Sequence, residues 1–219
     1  MEILEAIDVR HSIRQYDARP VEKEKLDRLQ QEVDMINQES GLHIQLVTDE
    51  PTAFDTRMAH YGKFAGVKNY IALVGKKGDN LDEQLGYYGA RLCLLAVTMG
   101  LGTCFVGLTF GKRKEFVDVQ EDEKFRAVIC FGYAAEEPKR HKIKTYEQVT
   151  DAPADAPVWF RRGVEAALKA PTAVNQQKFK ISLDNDGKVS FRVSGIGFFA
   201  KMDLGIVRYF FEVGKGDEA

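Results

Sequence analysis

Apolar residues recur every three or four positions in several parts of the chain, and this spacing predicts amphipathic helices. The longest stripe runs through Leu85, Leu92 and Leu95 and breaks off at Gly100, where we expect a helix to end. Pro20 precedes another periodic segment with alternating charge on its polar face, as at a helix start. Further helices are predicted at residues 2–9, about 21–38, 158–169 and 203–214.

Short apolar runs rich in branched or aromatic residues predict strands. "LHIQLV" (42–47) alternates in the manner of a half-buried strand, whereas "NYIALVG" (69–75) and "RAVICFGY" (126–133) suit central strands. "FKISL" and "VSFRV" flank "DNDG", which is a strong hairpin signal. The mixture of helices and strands predicts an α+β fold with helices flanking a sheet.

The uncharged run "LCLLAVTMGLGTCFVGLTF", residues 92–110, is long enough to be compared with a membrane span. Gly100, Gly102 and Gly107 interrupt its second half, where they are expected to end a helix. We therefore expect a buried helix, a glycine turn and an apolar strand or loop, and no membrane span. Gly100 and Gly102 do not make a dinucleotide motif, because a helix precedes them where that motif requires a strand.

The only stretch with linker composition is "TDAPADAP", residues 150–157. It divides the chain into an N-terminal half, residues 1–149, and a C-terminal half, residues 158–219. The second half weakly repeats the helix and strand order of the first. Two interpretations stay open: a chance order of elements, or two pseudo-symmetric halves that pack as one unit.

Composition and charge narrow the classes of protein. The chain has 219 residues, 44% hydrophobic and 29% charged, with a formal charge of −2, which is typical of a globular domain. That charge argues against a nucleic-acid or anionic-membrane binder. The three cysteines and four histidines show no metal-binding spacing. A charged N-terminus and odd cysteine count favour a cytoplasmic protein, and a catalytic role for one cysteine is left open.

Two cationic segments are candidates for an anion site. In "RHSIR", Arg10, Ser12 and Arg14 stand at alternate positions, so an extended backbone would place them on one face. Guanidinium groups match phosphate oxygens, and a hydroxyl adds a neutral donor. "KRHKIK", residues 139–144, is a second cluster. The alternatives are a solvated basic strand for the first and a charged surface loop for the second.

A third segment, "APTAVNQQKF" (170–179), ends a predicted helix at a proline and then presents small and amide side chains. Together with "RHSIRQY", "GARLCLLAVTMGLGTCFVG" and "ICFGYAAEEPKRHK", it resembles the signatures of the nitroreductase family of flavin mononucleotide (FMN) enzymes. The match is to that family's RRSxRxF, GLGTCWxG, GYPxE and APSAxNxQPW patterns. Two departures are visible: the APSAxN-like turn lies in the C-terminal half, and Lys178 and Phe179 replace its Pro-Trp.

The resemblance implies a nitroreductase-like fold with a central, mainly antiparallel sheet. It also implies that residues 1–149 grip the FMN phosphate and residues 158–219 cover the ring, as an intrachain pseudo-dimer or in a homodimer. The implied cofactor-binding residues are Arg10, His11, Ser12, Arg14, Val106, Gly107, Leu108, Arg140, Lys142, Lys144, Pro171, Thr172 and Asn175. No metal ligand and no protein catalytic residue are implied.

The function implied by this resemblance is an NAD(P)H-dependent oxidoreductase. FMN would take hydride at N5 from NADH or NADPH and reduce a small-molecule acceptor such as a nitroaromatic or a quinone. A non-catalytic FMN-binding protein (carrier or sensor) and a flavin-remodelling enzyme are the alternatives. The sequence names neither the acceptor nor the choice between NADH and NADPH.

Overall fold

A computed structural model describes residues 1–137 and 142–216. Its main sheet has four strands in the order β1-β2-β4-β3, and every neighbouring pair is antiparallel. The strands are β1 (Gln45–Val47), β2 (Asn69–Lys76), β3 (Gly102–Val106) and β4 (Glu123–Gly132). A separate hairpin pairs β5 (Phe179–Leu183) with β6 (Val189–Val193).

Both faces of the main sheet are buried, which explains why its central strands read as continuous apolar runs. Ile71 and Leu73 of β2 belong to one hydrophobic cluster, whereas Tyr70 and Ala72 belong to a second cluster. β4 divides in the same way, with Ile129 in the first cluster and its neighbours in the second. The sheet therefore separates two apolar layers.

Seven α-helices occur in the described part of the chain, together with a short 3-10 turn at Ala173–Asn175. They are α1 (Ile3–Val9), α2 (Lys23–Ser40), α3 (Arg57–Tyr61), α4 (Leu81–Thr98), α5 (Tyr146–Val149), α6 (Val158–Ala167) and α7 (Ala200–Lys215). The sequence predicted all of these helices except the short α3 and α5.

The predicted helix with the leucine stripe is α4, and its interpretation as a buried helix is confirmed. Leu85 and Leu92 are fully buried, and Gly100 has φ 79° just beyond the helix end, a left-handed value that glycine adopts readily. The chain then enters β3 at Gly102. Within residues 1–137 and 142–216, no helix combines the length and apolar character needed to cross a bilayer.

Helices α4 and α7 pack at very short range. A Cβ added at Gly86 would lie 2.0 Å from the backbone oxygen of Met202, and one added at Gly205 would lie 2.0 Å from that of Glu83. These glycines let the two backbones approach each other, so α7 is held against the N-terminal half. At the start of α7, the ring of Phe199 lies against Gly107, just beyond the end of β3.

The first hydrophobic cluster contains residues of both halves, from Ala6 of α1 to Phe211 of α7. The linker-like stretch also packs on the fold: Thr150 is buried and forms a parallel bridge with Ile181 of β5. The halves share a core in this way. The expected pseudo-symmetry between them stays a prediction.

Candidate functional site

A cavity of about 590 Å³ lies between the two halves. Its walls come from the segment after α1, the end of β3, the turn after α6 and the first two turns of α7. The volume falls in the range of small-molecule and cofactor pockets. The cationic side chains Arg10 and Arg14 come from one segment of this lining, which we call the cationic end, whereas Asp203 and the small residues of the turn come from others.

The cationic end is formed by the predicted "RHSIR" segment. Arg10, His11, Ser12 and Arg14 all line the cavity. The segment is extended because it is tied to the sheet: Ser12 bridges Thr103 of β3, and the backbone N–H of Ile13 donates to the Thr103 oxygen at 2.9 Å. The three alternate residues Arg10, Ser12 and Arg14 therefore reach the same cavity, and His11 between them reaches it too.

Arg10 is the most unusual cation in the cavity. Its Nε is buried and has no hydrogen-bond partner among the described residues, and its Nη2 makes a long 3.4 Å bond to the Lys169 backbone oxygen. Burial lowers the pKa of the Arg10 guanidinium, because a charge removed from water is costly. A buried donor without an acceptor is unfavourable, which makes Arg10 a candidate for binding an anion in this cavity.

The end of β3 and the glycine that follows it form a second wall. Val106 and Gly107 line the cavity, and the ring of Phe199 rests on Gly107, so closely that an added Cβ would lie 2.3 Å from Phe199 Cζ. Phe199 has φ 58° at the start of α7 and also lines the cavity. Bare backbone at Gly107 therefore admits an aromatic ring at this wall.

The predicted turn at residues 170–175 forms the third wall, with Pro171, Thr172 and Asn175 lining the cavity. Asn175 has φ 53°, and its Nδ2 donates to the Lys142 backbone oxygen at 2.8 Å. Gln177 points inward instead: it is buried, its Nε2 donates to the Leu168 oxygen at 2.9 Å, and its Oε1 accepts from the Lys144 N–H at 2.8 Å. Gln177 thus supports the turn through hydrogen bonds to the backbone of Leu168 and Lys144.

The basic tail meets the site only in part. Lys142 and Lys144 are not lining residues, although Ile143 between them is. The ammonium of Lys144 donates to the Gln177 backbone oxygen at 2.6 Å, which ties this side chain to the turn. Leu108 is exposed just beyond the lining residue Gly107. Arg140, the remaining candidate, lies outside the described residues.

The sequence analysis missed the cavity residues at the start of α7, which are Phe199, just before the helix, and Met202, Asp203 and Ile206 within it. Asp203 is only 6% exposed, and burial raises the pKa of its carboxyl to about 6, against two hydrogen bonds that lower it. The sequence does carry a signal: Asp203 lies three and seven residues before Ile206 and Phe210, on the apolar stripe of α7. A carboxylate on such a stripe is rare unless it has hydrogen-bond partners.

The cysteines lie near the cationic end, and all three are free and buried. Burial raises the pKa of the Cys93, Cys104 and Cys130 thiols. Buried thiols with raised pKa values are poor nucleophiles. This argues against the catalytic role that the sequence left open.

Comparison with protein families matches residues 2–215 to the family described as "Putative TM nitroreductase". No functionally curated protein matches the sequence.

Among solved structures, a "putative nitroreductase" of Thermotoga maritima aligns with a TM-score of 0.67 at 20% identity, over 96% of this chain and 82% of its own. A "putative nitroreductase in complex with fmn" from Desulfovibrio desulfuricans aligns with a TM-score of 0.54 at 19% identity, over 70% of this chain and 98% of its own. A "Putative NADH dehydrogenase/NAD(P)H nitroreductase" of Parabacteroides distasonis aligns with a TM-score of 0.53 at 23% identity, over 67% of this chain and 95% of its own. The predicted α+β fold with an antiparallel sheet is confirmed by these likenesses.

Proposed function

The chain belongs to the nitroreductase family, and we propose that it is an FMN-dependent oxidoreductase acting on a small-molecule electron acceptor. The observation that carries this proposal is the placement of Arg10 and of the turn at residues 170–175 on two walls of one cavity. The family supplies the reaction class. The residues of this chain supply a site whose two ends suit the two ends of FMN.

The phosphate end is assigned to Arg10, His11, Ser12 and Arg14. The buried Nε of Arg10 lacks a partner among the described residues, so a phosphate oxygen would satisfy it and repay part of the desolvation of the guanidinium. Lys142 and Arg140 are the further phosphate candidates from the basic tail. Lys144 is assigned to the turn, since its ammonium already donates to the Gln177 oxygen.

The ring end is assigned to Pro171, Thr172 and Asn175 on one wall and to Val106, Gly107 and Leu108 on the other. Small side chains and bare backbone allow a flat ring to come close. The ring of Phe199 already rests on Gly107, so at this wall a flavin ring would lie beside Phe199. For Arg14 the pyrimidine edge of the ring is the alternative to the phosphate, and its positive charge there would favour the electron-rich reduced flavin.

When bound, FMN would supply the hydride transfer through N5 that links a nicotinamide nucleotide to a nitroaromatic or quinone acceptor. The protein would hold the flavin, orient it toward its substrates and shield it from water. The Thermotoga and Parabacteroides proteins carry nitroreductase names, and the latter's name includes NAD(P)H. We therefore propose NADH or NADPH as the electron donor for this chain.

Both ends of the proposed site come from one chain. Residues 1–149 would grip the phosphate and residues 158–219 would cover the ring, so a monomer would contain a complete site. The short-range packing of α4 on α7 holds these halves together. We propose one FMN per chain, whether the chain is a monomer or pairs as a homodimer, in a cytoplasmic enzyme.

The test is anaerobic titration of the FMN-loaded protein with NADH and, separately, NADPH, monitored by flavin absorbance. The proposal predicts that one of them bleaches the flavin band and that a quinone or nitroaromatic restores it. A protein that binds FMN and is bleached by dithionite but by neither nucleotide is a carrier or sensor. A protein that releases altered flavin, identified by mass spectrometry, is a flavin-remodelling enzyme.

A further inference from the structure

Asp203 lies on the floor of the cavity, in the first turn of α7. Its Oδ1 accepts from the backbone N–H of Ala173 at 2.9 Å, and its Oδ2 accepts from Gln176 Nε2 at 2.8 Å. Gln176 Nε2 also donates to the Phe198 backbone oxygen at 2.9 Å. One carboxylate thus connects the 170–177 turn, the approach to α7 and the helix itself.

The turn that Asp203 holds has an unfavourable backbone. Val174, Asn175 and Gln177 have φ values of 46°, 53° and 44°, in the left-handed region where residues other than glycine are uncommon. The left-handed conformation is most strained at Val174, because its side chain is β-branched. Such a conformation persists only where the surrounding contacts determine it.

A neutral side chain could not accept both of the hydrogen bonds that this carboxylate accepts. Two N–H donors converge on Asp203, and only a carboxylate offers an acceptor oxygen to each. An asparagine would accept one bond and present an N–H group to the other donor. Burying the carboxylate carries a desolvation cost, and within the described residues no cation lies at hydrogen-bond distance to offset it.

We propose that Asp203 is a positioning residue, which, through Ala173 and Gln176, holds the strained turn and the backbone before Phe199 in the arrangement that receives the flavin ring. This inference rests on the proposed function for the identity of the ligand. The arrangement of the turn itself does not depend on it. Asp203 acts through its neighbours and has no part in hydride transfer.

The test uses Asp203→Asn, with Gln176→Ala as a second variant that removes the partner and keeps the carboxylate. Asp151→Asn is the matched control, because Asp151 also accepts bonds from several side chains, including Lys180 at 3.1 Å, but lies away from the cavity. Two quantities are measured on each full-length apoprotein: amide hydrogen exchange in residues 172–177, and the dissociation constants of FMN and riboflavin from fluorescence titration.

For both cavity variants we expect faster exchange in residues 172–177 and a loss of affinity of about tenfold to a hundredfold, the effect of losing hydrogen bonds to a charged group. FMN and riboflavin should weaken by the same factor, because the lost contact serves the ring end and not the phosphate end. The variant that carries both Asp203→Asn and Gln176→Ala should lose no more flavin affinity than Asp203→Asn alone. Asp151→Asn should match the wild type in both measurements.

Unchanged exchange and unchanged flavin affinity in Asp203→Asn, with a folded protein, would overturn the inference. If Asp203→Asn does not fold, the same result in Gln176→Ala overturns it. A wild-type protein that binds neither flavin refutes the proposed function instead, and the exchange data then still decide whether Asp203 holds the turn.

Discussion

Nη2 of Arg10 lies 3.4 Å from the backbone oxygen of Lys169, although 159 residues separate them in the sequence. Arg10 directly follows α1, and Lys169 lies between α6 and the Pro171 turn. The contact is where the cationic segment of the first half meets the turn of the second half. The proposed flavin site depends on this junction.

Replacing Arg10 by Met should affect stability and ligand binding in opposite directions. The apoprotein should be at least as stable as the wild type in urea denaturation, because a buried donor without a partner is removed. FMN affinity should fall by about 1.5–3 kcal/mol or more, the value of hydrogen bonds to a charged group. Riboflavin affinity, measured in the same way, should change little.

Arg113 is the matched control for this prediction. Its Nε is also buried without a partner among the described residues, but it is not a lining residue of the cavity. Arg113→Met should leave both flavin affinities unchanged. Equal losses for FMN and riboflavin in Arg10→Met would contradict the phosphate assignment.

Val174→Asn should stabilise the apoprotein by about 1 kcal/mol. Val174 is 97% exposed with φ 46°, so the side chain buries no surface and its branched Cβ is strained, whereas asparagine tolerates this conformation. Flavin affinity should fall, because Val174 lines the cavity and its apolar side chain would be replaced by a polar one. Thermal denaturation and flavin titration check the two effects.

Val158→Asn provides the comparison, because Val158 is 50% exposed at the start of α6 and away from the cavity. It should gain no stability from relief of strain. A Val174→Asn protein that is less stable than the wild type would show that the turn is not strained at this position.

Gly107→Ala should destabilise the apoprotein by about 1–3 kcal/mol and weaken flavin binding, because the new methyl group would overlap the Phe199 ring. Gly78→Ala is the control, since a Cβ there meets nothing within 4 Å. In a protein that already carries Phe199→Ala, Gly107→Ala should cost almost no stability. Additive losses in this double-mutant cycle would argue against direct contact.

Asp203 should give the stability of the apoprotein a distinctive pH dependence. Burial raises the pKa of its carboxyl from 3.8 to about 6, so the native protein takes up a proton before the unfolded chain does as the pH falls. The contribution of Asp203 to the stability of the native state therefore grows as the pH falls from 7 to 4, and is lost as the pH rises through 6. Between pH 7 and pH 4 the gain relative to Asp203→Asn should be about 2 kcal/mol.

Urea denaturation of the wild type and Asp203→Asn between pH 4 and 7.5 measures this difference. The comparison cancels the other titrating groups that the two proteins share. If the difference between their free energies of unfolding is constant across this range, the carboxyl of Asp203 does not titrate as described.

The long elements could be predicted because their periodicity reports burial directly. The leucine stripe of α4 and the apolar run of β2 each lie in the core. The cationic segment could also be placed, since alternation in an extended chain puts Arg10 and Ser12 on one face. For α3 and α5, with only 5 and 4 residues, no periodic pattern can develop.

The remainder of the site depends on contacts between distant residues. Nothing local shows that Lys144 donates to Gln177, or that Phe199 rests on Gly107. Asp203 was the exception, because its charge on the apolar face of α7 was visible in the sequence. Its partners, Ala173 and Gln176, follow only from the packing of α7 beside the turn.

The most direct test of the central claim is a crystal structure of the protein with FMN. The account predicts one FMN per chain, with its phosphate within hydrogen-bond distance of Arg10 and its ring against residues 171–175 of the same chain. An FMN whose phosphate lies away from Arg10, or density for FMN only outside this cavity, would contradict it.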